Sequence, residues 1–241
     1  MFDGTAVKAL AEHTRKPVEL GDLIAVPNDW QVHDPEALIK PAPTADKLAV
    51  YTLGAVRDYL TANRDALPLE TLVVHVVSPQ IVRISGPIQN RARNRESYVE
   101  ATAQNLLDGF AGKFMSQEEF IIGLQTRFDN AADRSAVLAL ASTMTAEAVN
   151  TSADDGIGQT VTAKAGVALK ATVPVPNPVT LRPFRTFREV TQPQSLFVLR
   201  VNQSMQLGLF EADGGAWRLE AIAAVRTWLA VNLPDSVAVL G

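Results

Sequence analysis

The chain contains no cysteine in its 241 residues. That absence removes disulfides, thiolate nucleophiles, zinc ribbons and thiolate-held iron–sulfur clusters together, and it fits a reducing compartment. Histidine is almost as scarce. His13, His33 and His75 stand far apart, with no HxH or HxxxH pairing that would favour a metal. His75 falls inside an apolar run and is expected to be a hydrogen-bonded core residue. An excess of positive charge is also missing: 22 basic residues face 26 acidic ones, for a net charge of −4. Binding to nucleic acid by overall charge is therefore excluded, whereas a local basic patch is not.

Long apolar runs are absent too. No stretch reaches the length of a membrane-spanning helix, and Met1-Phe2-Asp3-Gly4-Thr5 lacks the basic and apolar pattern of an export signal. The expectation is a cytoplasmic chain with no membrane partner. GxxxxGK[ST], GxSxG, HExxH and GxGxxG do not occur; Gly112-Lys113 runs into Phe114 and lacks the upstream glycine. No cofactor is called for by any local signature.

What is present is the composition of a folded protein. Hydrophobic residues make up 47% and charged residues 20%, enough apolar surface to offset ordering entropy. One domain over 1–241 is expected, with residues 1–46 an N-terminal arm that holds Pro35, Pro41 and Pro43 in an extended connection.

Periodicity predicts the elements. Val7, Leu10 and Ala11 mark a short helix ending before Pro17, and Leu20 to Val26 reads as one strand. Leu48 to Tyr51 is a short strand, after which Thr52 caps a helix carrying Leu53, Val56 and Leu60 on one face. Leu69 to Val77 and Ile81 to Ile88 are strands joined at Ser78-Pro79-Gln80, and Ser97 to Thr102 is another.

Ser116 and Glu119 form a capping box, with Met115 and Phe120 at the positions of a hydrophobic staple. A second helix is expected from Asp133 to Val149. Strands follow within Gly158 to Val173, Val179 to Phe187, Ser195 to Val201 and Met205 to Phe210. Asp213-Gly214-Gly215 then turns into a last helix packing through Ile222, Val225 and Leu229, before a terminal strand at Val237 to Leu240. The class is α+β: a mixed, mainly antiparallel sheet with four or five helices, two of them consecutive in mid-chain.

Two arginine clusters are the candidate binding groups. Arg91, Arg93 and Arg95 share one face if their segment is extended, and such a row could grip phosphates bidentately. Arg182, Arg185 and Arg188 alternate with Phe184 and Phe187, the ingredients of a single-strand platform. The odd spacing of the phenylalanines favours a core-facing Phe with exposed arginines opposite. Asp154 and Asp155, followed by Gly156 and Gly158, are the one candidate cation pair; Asp-Gly chemistry favours a turn there. Glu118 and Glu119 point about 100° apart on a helix and belong to its capping rather than to a shared proton.

The order of features resembles the YfdQ-like family of phage and prophage proteins, a domain of unknown function. The residues that carry the resemblance are Val26-Pro27 leading into Trp30-Gln31-Val32, the strand-to-helix unit near Leu48 to Leu60, the strand pair ending at Ile88, and above all Lys113-Phe114-Met115-Ser116-Gln117-Glu118-Glu119-Phe120. It implies a viral origin and an accessory role in the bacterial host cytoplasm or within a viral assembly.

The reading that follows is a non-enzymatic phage protein acting by self-assembly, as a homo-oligomer, or by partner binding. The alternatives are a nucleic-acid or nucleotide-binding protein using the arginine clusters, and a metal-dependent enzyme on nucleotides or nucleic acid at Asp154 and Asp155.

Overall fold

The computed structural model describes residues 4–14, 18–20, 23–25, 45–89, 94–130, 133–144, 159–164 and 170–241. In chain order these form α1 (Gly4–Thr14), β1 (Val18–Leu20), β2 (Leu23–Ala25), β3 (Leu48–Val50), α2 (Leu53–Ala62), β4 (Val73–Ser78), β5 (Ile81–Gln89), β6 (Asn94–Thr102) and β7 (Phe114–Met115). Then come α3 (Gln117–Arg127), α4 (Arg134–Thr143), β8 (Thr160–Lys164), β9 (Lys170–Pro174), β10 (Val179–Leu181), β11 (Ser195–Val201), β12 (Leu207–Glu211), α5 (Trp217–Asn232) and β13 (Ala238–Leu240). The fold is α+β, with mixed, mostly antiparallel sheets, and α3 and α4 are the two consecutive mid-chain helices.

Two sheets carry two cores. The five-stranded sheet has the order β13-β4-β5-β6-β3, with β13 parallel to β4 and β3 parallel to β6. Its inner face joins Val74, Val76, Val82, Ile84 and Val99 to the apolar stripes of α2 and α5. Helix α2 starts where the sequence says it should: the Thr52 hydroxyl accepts the Ala55 N–H at 3.1 Å, and Asn63 closes the helix in the left-handed region.

The four-stranded sheet has the order β10-β11-β12-β7 and packs with α3 and α4 around Phe120, Leu124, Phe128, Leu140 and Phe197. The capping box at Ser116 and Glu119 is formed, and Met115 and Phe120 are both buried in this core. The β8–β9 hairpin is tied to it by the buried Gln159 amide. Its Nε2 donates to the Val201 carbonyl at 2.6 Å, and its Oε1 accepts the Val201 N–H at 2.9 Å.

Several expectations are corrected. The single strand at Leu20 to Val26 is instead divided between two paired antiparallel strands, β1 and β2. Leu10 of α1 is exposed, and Ala11 takes the buried position. Leu69–Thr71 is a short 3-10 turn and the strand begins only at Val73. His75 is exposed, not a core residue, because it has the opposite parity to Val74 and Val76.

Strand β10 stops at Leu181, short of Phe187; Pro183, which lacks an N–H for a ladder, makes only an isolated bridge to Phe128. Helix α4 ends at Thr143, where Met144 turns extended, and the rest of the helix expected to Val149 lies outside the described residues.

Candidate functional site: the seam and its cleft

The segment 182–190 crosses from one core to the other. Leu181 belongs to the four-stranded sheet's core and Phe187 to the five-stranded sheet's core. A segment without strand pairing must find other partners for its backbone, and this one does. Phe184 N–H donates to the Arg127 carbonyl at 2.9 Å, and the Phe184 carbonyl accepts from Leu106 N–H at 2.8 Å. Gln192 Oε1 accepts from the N–H groups of Arg185 and Thr186, at 3.0 and 3.2 Å. Gln80 Nε2 donates to the Arg185 carbonyl at 2.8 Å, and the Thr186 hydroxyl donates to the Pro79 carbonyl, which stitches the β4–β5 turn to the seam.

The three seam arginines have three different fates. Arg185 is fully buried, a correction to the expectation that it would be exposed. It donates to Glu211 and to the Ser195 hydroxyl, and its guanidinium stacks on Trp217. Burial pushes its pKa down to about 10 against the pull of Glu211 and Asp213. The Ser195 hydroxyl passes the network on to Asp213 at 2.5 Å.

Burial opposes the charge on Asp213. The Ser195 hydroxyl, the Gly215 N–H and Arg185 outweigh it and hold the carboxyl below its ordinary range. Gly214 and Gly215, at φ +62° and +84°, give the turn that brings Asp213 and Trp217 together. Arg182 faces the side-chain amide of Gln194, whose oxygen accepts from Nη2 at 2.6 Å. Arg188 alone projects outward: its guanidinium lies 3.6 Å over the Phe184 ring and makes no ion pair among the described residues.

Arg188 stands at the edge of a cleft of about 740 Å³. The cleft opens where β3 gives way to α2, where β6 ends, and along the seam. Tyr51 and Thr52 come from the first junction, Gln104 and Leu106 from the second, Phe184 and Arg188 from the third. Strands β3 and β6 are parallel, so the cleft lies at the carboxyl ends of both. Glu189 also lines it, but its carboxylate accepts the Gly54 N–H at 3.2 Å and so complements the start of α2.

The second feature lies on the outer face of the five-stranded sheet. Leu240, His75, Arg83, Glu100 and Ala49 occupy one register row across all five strands. The row's charges are satisfied within the chain: Lys47 donates to Glu100 at 2.7 Å and Arg83 donates to it at 2.6 Å. Those two bonds, Lys47 first, hold the Glu100 carboxyl below its ordinary range. Around them stand Val77 and Leu240, 39% and 54% exposed.

Of the first arginine cluster, Arg91 and Arg93 lie outside the described residues, and Arg95 donates to the Gly86 carbonyl at 2.9 Å. Asp154 and Asp155 also lie outside them. Among the described residues no group of three or more His, Asp or Glu side chains could hold a metal, and no helix is long and apolar enough to cross a membrane. Comparison of the chain with family models, curated proteins and solved structures gives no match.

The seam is legible in the sequence as an arginine–phenylalanine run, whereas the cleft is not. Tyr51 and Gln104 lie more than 75 residues before the seam, and no local spacing joins them to it. The open sheet face had a signal, since β4 is apolar on both parities.

Proposed function

We propose that this chain is a non-enzymatic accessory protein that works by self-assembly, with the outer face of its five-stranded sheet covered by the same face of a second copy. The observation that carries this is strand β4. Its sequence, Val73-Val74-His75-Val76-Val77-Ser78, is apolar on both parities. A strand covered on one face alternates apolar with polar residues, whereas one buried on both faces does not. Val74 and Val76 are buried in the core, yet Val77, of the other parity, is left exposed.

A self-complementary face must not place uncompensated charge opposite itself. Here Lys47 and Arg83 both pair with Glu100 within one copy, so the network keeps a single net positive charge, and a second copy meets paired groups flanked by valine and leucine. The setting follows from the resemblance to YfdQ-like proteins: a phage-encoded chain acting in the bacterial cytoplasm.

Size-exclusion chromatography with light scattering tests the proposal. The wild-type chain should run as a dimer or a higher even-numbered oligomer, and Val77→Asp with Leu240→Asp should run as a folded monomer. A monomeric wild-type chain at micromolar concentration refutes it.

A further inference from the structure

We infer that the cleft at the seam binds a small ligand with a planar ring and a single anionic group, of the size and chemistry of a nucleoside monophosphate. The inference is independent of self-assembly, since it rests on different residues.

Size comes first. A cleft of about 740 Å³ falls within the range of small-molecule pockets. Its position is the one where parallel strands deliver ligand-binding loops, outside their carboxyl ends. Here Tyr51 and Thr52 follow β3, and Ala103 and Gln104 follow β6.

Chemistry comes second. Arg188 is a guanidinium with one face laid on the Phe184 ring and its N–H edges unclaimed by any acceptor among the described residues. The stack fixes the plane of the fork without using its donors, which readies it for a planar or tetrahedral anion. Every other seam arginine is committed: Arg185 to Glu211 and Ser195, Arg182 to Gln194.

Tyr51 is 77% exposed beside the same cleft, an aromatic face left in water where a flat ring could stack. Leu106 and Phe187 give apolar walls, and the exposed Gln104 amide offers a donor and an acceptor to a ring edge.

Charge sets the limit. Among the described residues Arg188 is the one cation lining the cleft and the neighbouring Glu189 carboxylate is negative, so a ligand with several phosphates would meet repulsion with no second described cation to offset it. The net charge of −4 likewise disfavours a long polyanion.

Isothermal titration with adenosine monophosphate, adenosine and inorganic phosphate as separate probes tests the assignment on the full chain. The monophosphate should saturate a single site, and each half alone should bind at least about tenfold more weakly. Arg188→Gln should weaken the monophosphate about tenfold or more, as loss of a charge-assisted contact does, and should leave adenosine unaffected. Tyr51→Ala should weaken both nucleoside probes and spare inorganic phosphate.

Both side chains are exposed, so circular dichroism should report unchanged folding. No saturation at millimolar monophosphate, or saturation indifferent to Arg188→Gln, overturns the inference. Tighter binding of a single-stranded oligothymidylate than of the mononucleotide overturns the small-ligand assignment and makes the cleft a strand-binding groove.

Discussion

The guanidinium of Arg185 lies 3.8 Å from the centroid of the Trp217 indole ring, and this contact fastens the seam to the first turn of α5. Arg185 is fully buried whereas its partner Glu211 keeps about a third of its side chain in solvent. Removing the arginine leaves carboxylates that water can still reach, so the cost falls at the low end for a broken buried pair. Arg185→Met is expected to lose about 3 kcal/mol in urea denaturation. Arg185→Lys should fall between the two, since it keeps the charge but neither the fork nor the flat stack.

Gly123 of α3 sits directly beneath Phe110. A β-carbon there would stand 1.9 Å from the phenylalanine ring, which is itself stacked near Phe120 and edge-on to Phe128. Alanine would gain about 1 kcal/mol of helix propensity. Displacing a ring held by two others costs about 1–3 kcal/mol. Gly123→Ala should therefore lower the thermal midpoint despite the better helix former, and a raised midpoint would show that Phe110 moves freely.

The capping box makes a smaller and cleaner prediction. Ser116→Ala removes the acceptor for Glu119 N–H and should cost about 1 kcal/mol, while Ser116→Asp should recover most of it. Equilibrium denaturation of the three proteins checks the order.

Acid should destabilise the chain in a defined window. Glu100 is held below its ordinary 4.5, by Lys47 first and then Arg83. Asp213, although partly buried, is held below 3.8 by Ser195, Gly215 and Arg185. A carboxyl with a depressed folded pKa contributes stability that is complete above its unfolded value and is lost as pH falls through its folded value. Stability should be flat around neutrality and drop below about pH 4.5. Glu100→Gln should flatten the upper part of that drop, and an unchanged profile would remove Glu100 from the account.

Element types were legible wherever local chemistry decides them. Thr52, the Ser116–Glu119 box and Asp213-Gly214-Gly215 each satisfy backbone groups through residues close in the chain, and each is formed. Strand content was legible through β-branched runs. Parity against a particular helix was not: His75 was placed in the core because its neighbours are valines, and only the packing of α2 and α5 against Val74 and Val76 decides that it faces outward.

The seam shows the same limit in the other direction. An Arg-Phe alternation looks like an exposed binding strand until Pro183 ends β10, after which the chain turns Arg185 inward to meet Glu211 and Trp217. Those partners lie at least 26 residues away, beyond any local pattern.

The absence of cysteine gives the most direct test of self-assembly. His75→Cys places one thiol on the outer sheet face, one strand in from the β13 edge, and Leu219→Cys places one on the exposed side of α5. A short bis-maleimide should link two copies of the His75→Cys chain in high yield at micromolar concentration and leave the Leu219→Cys chain unlinked. Equal linking at the two positions, or none at position 75, would contradict the account.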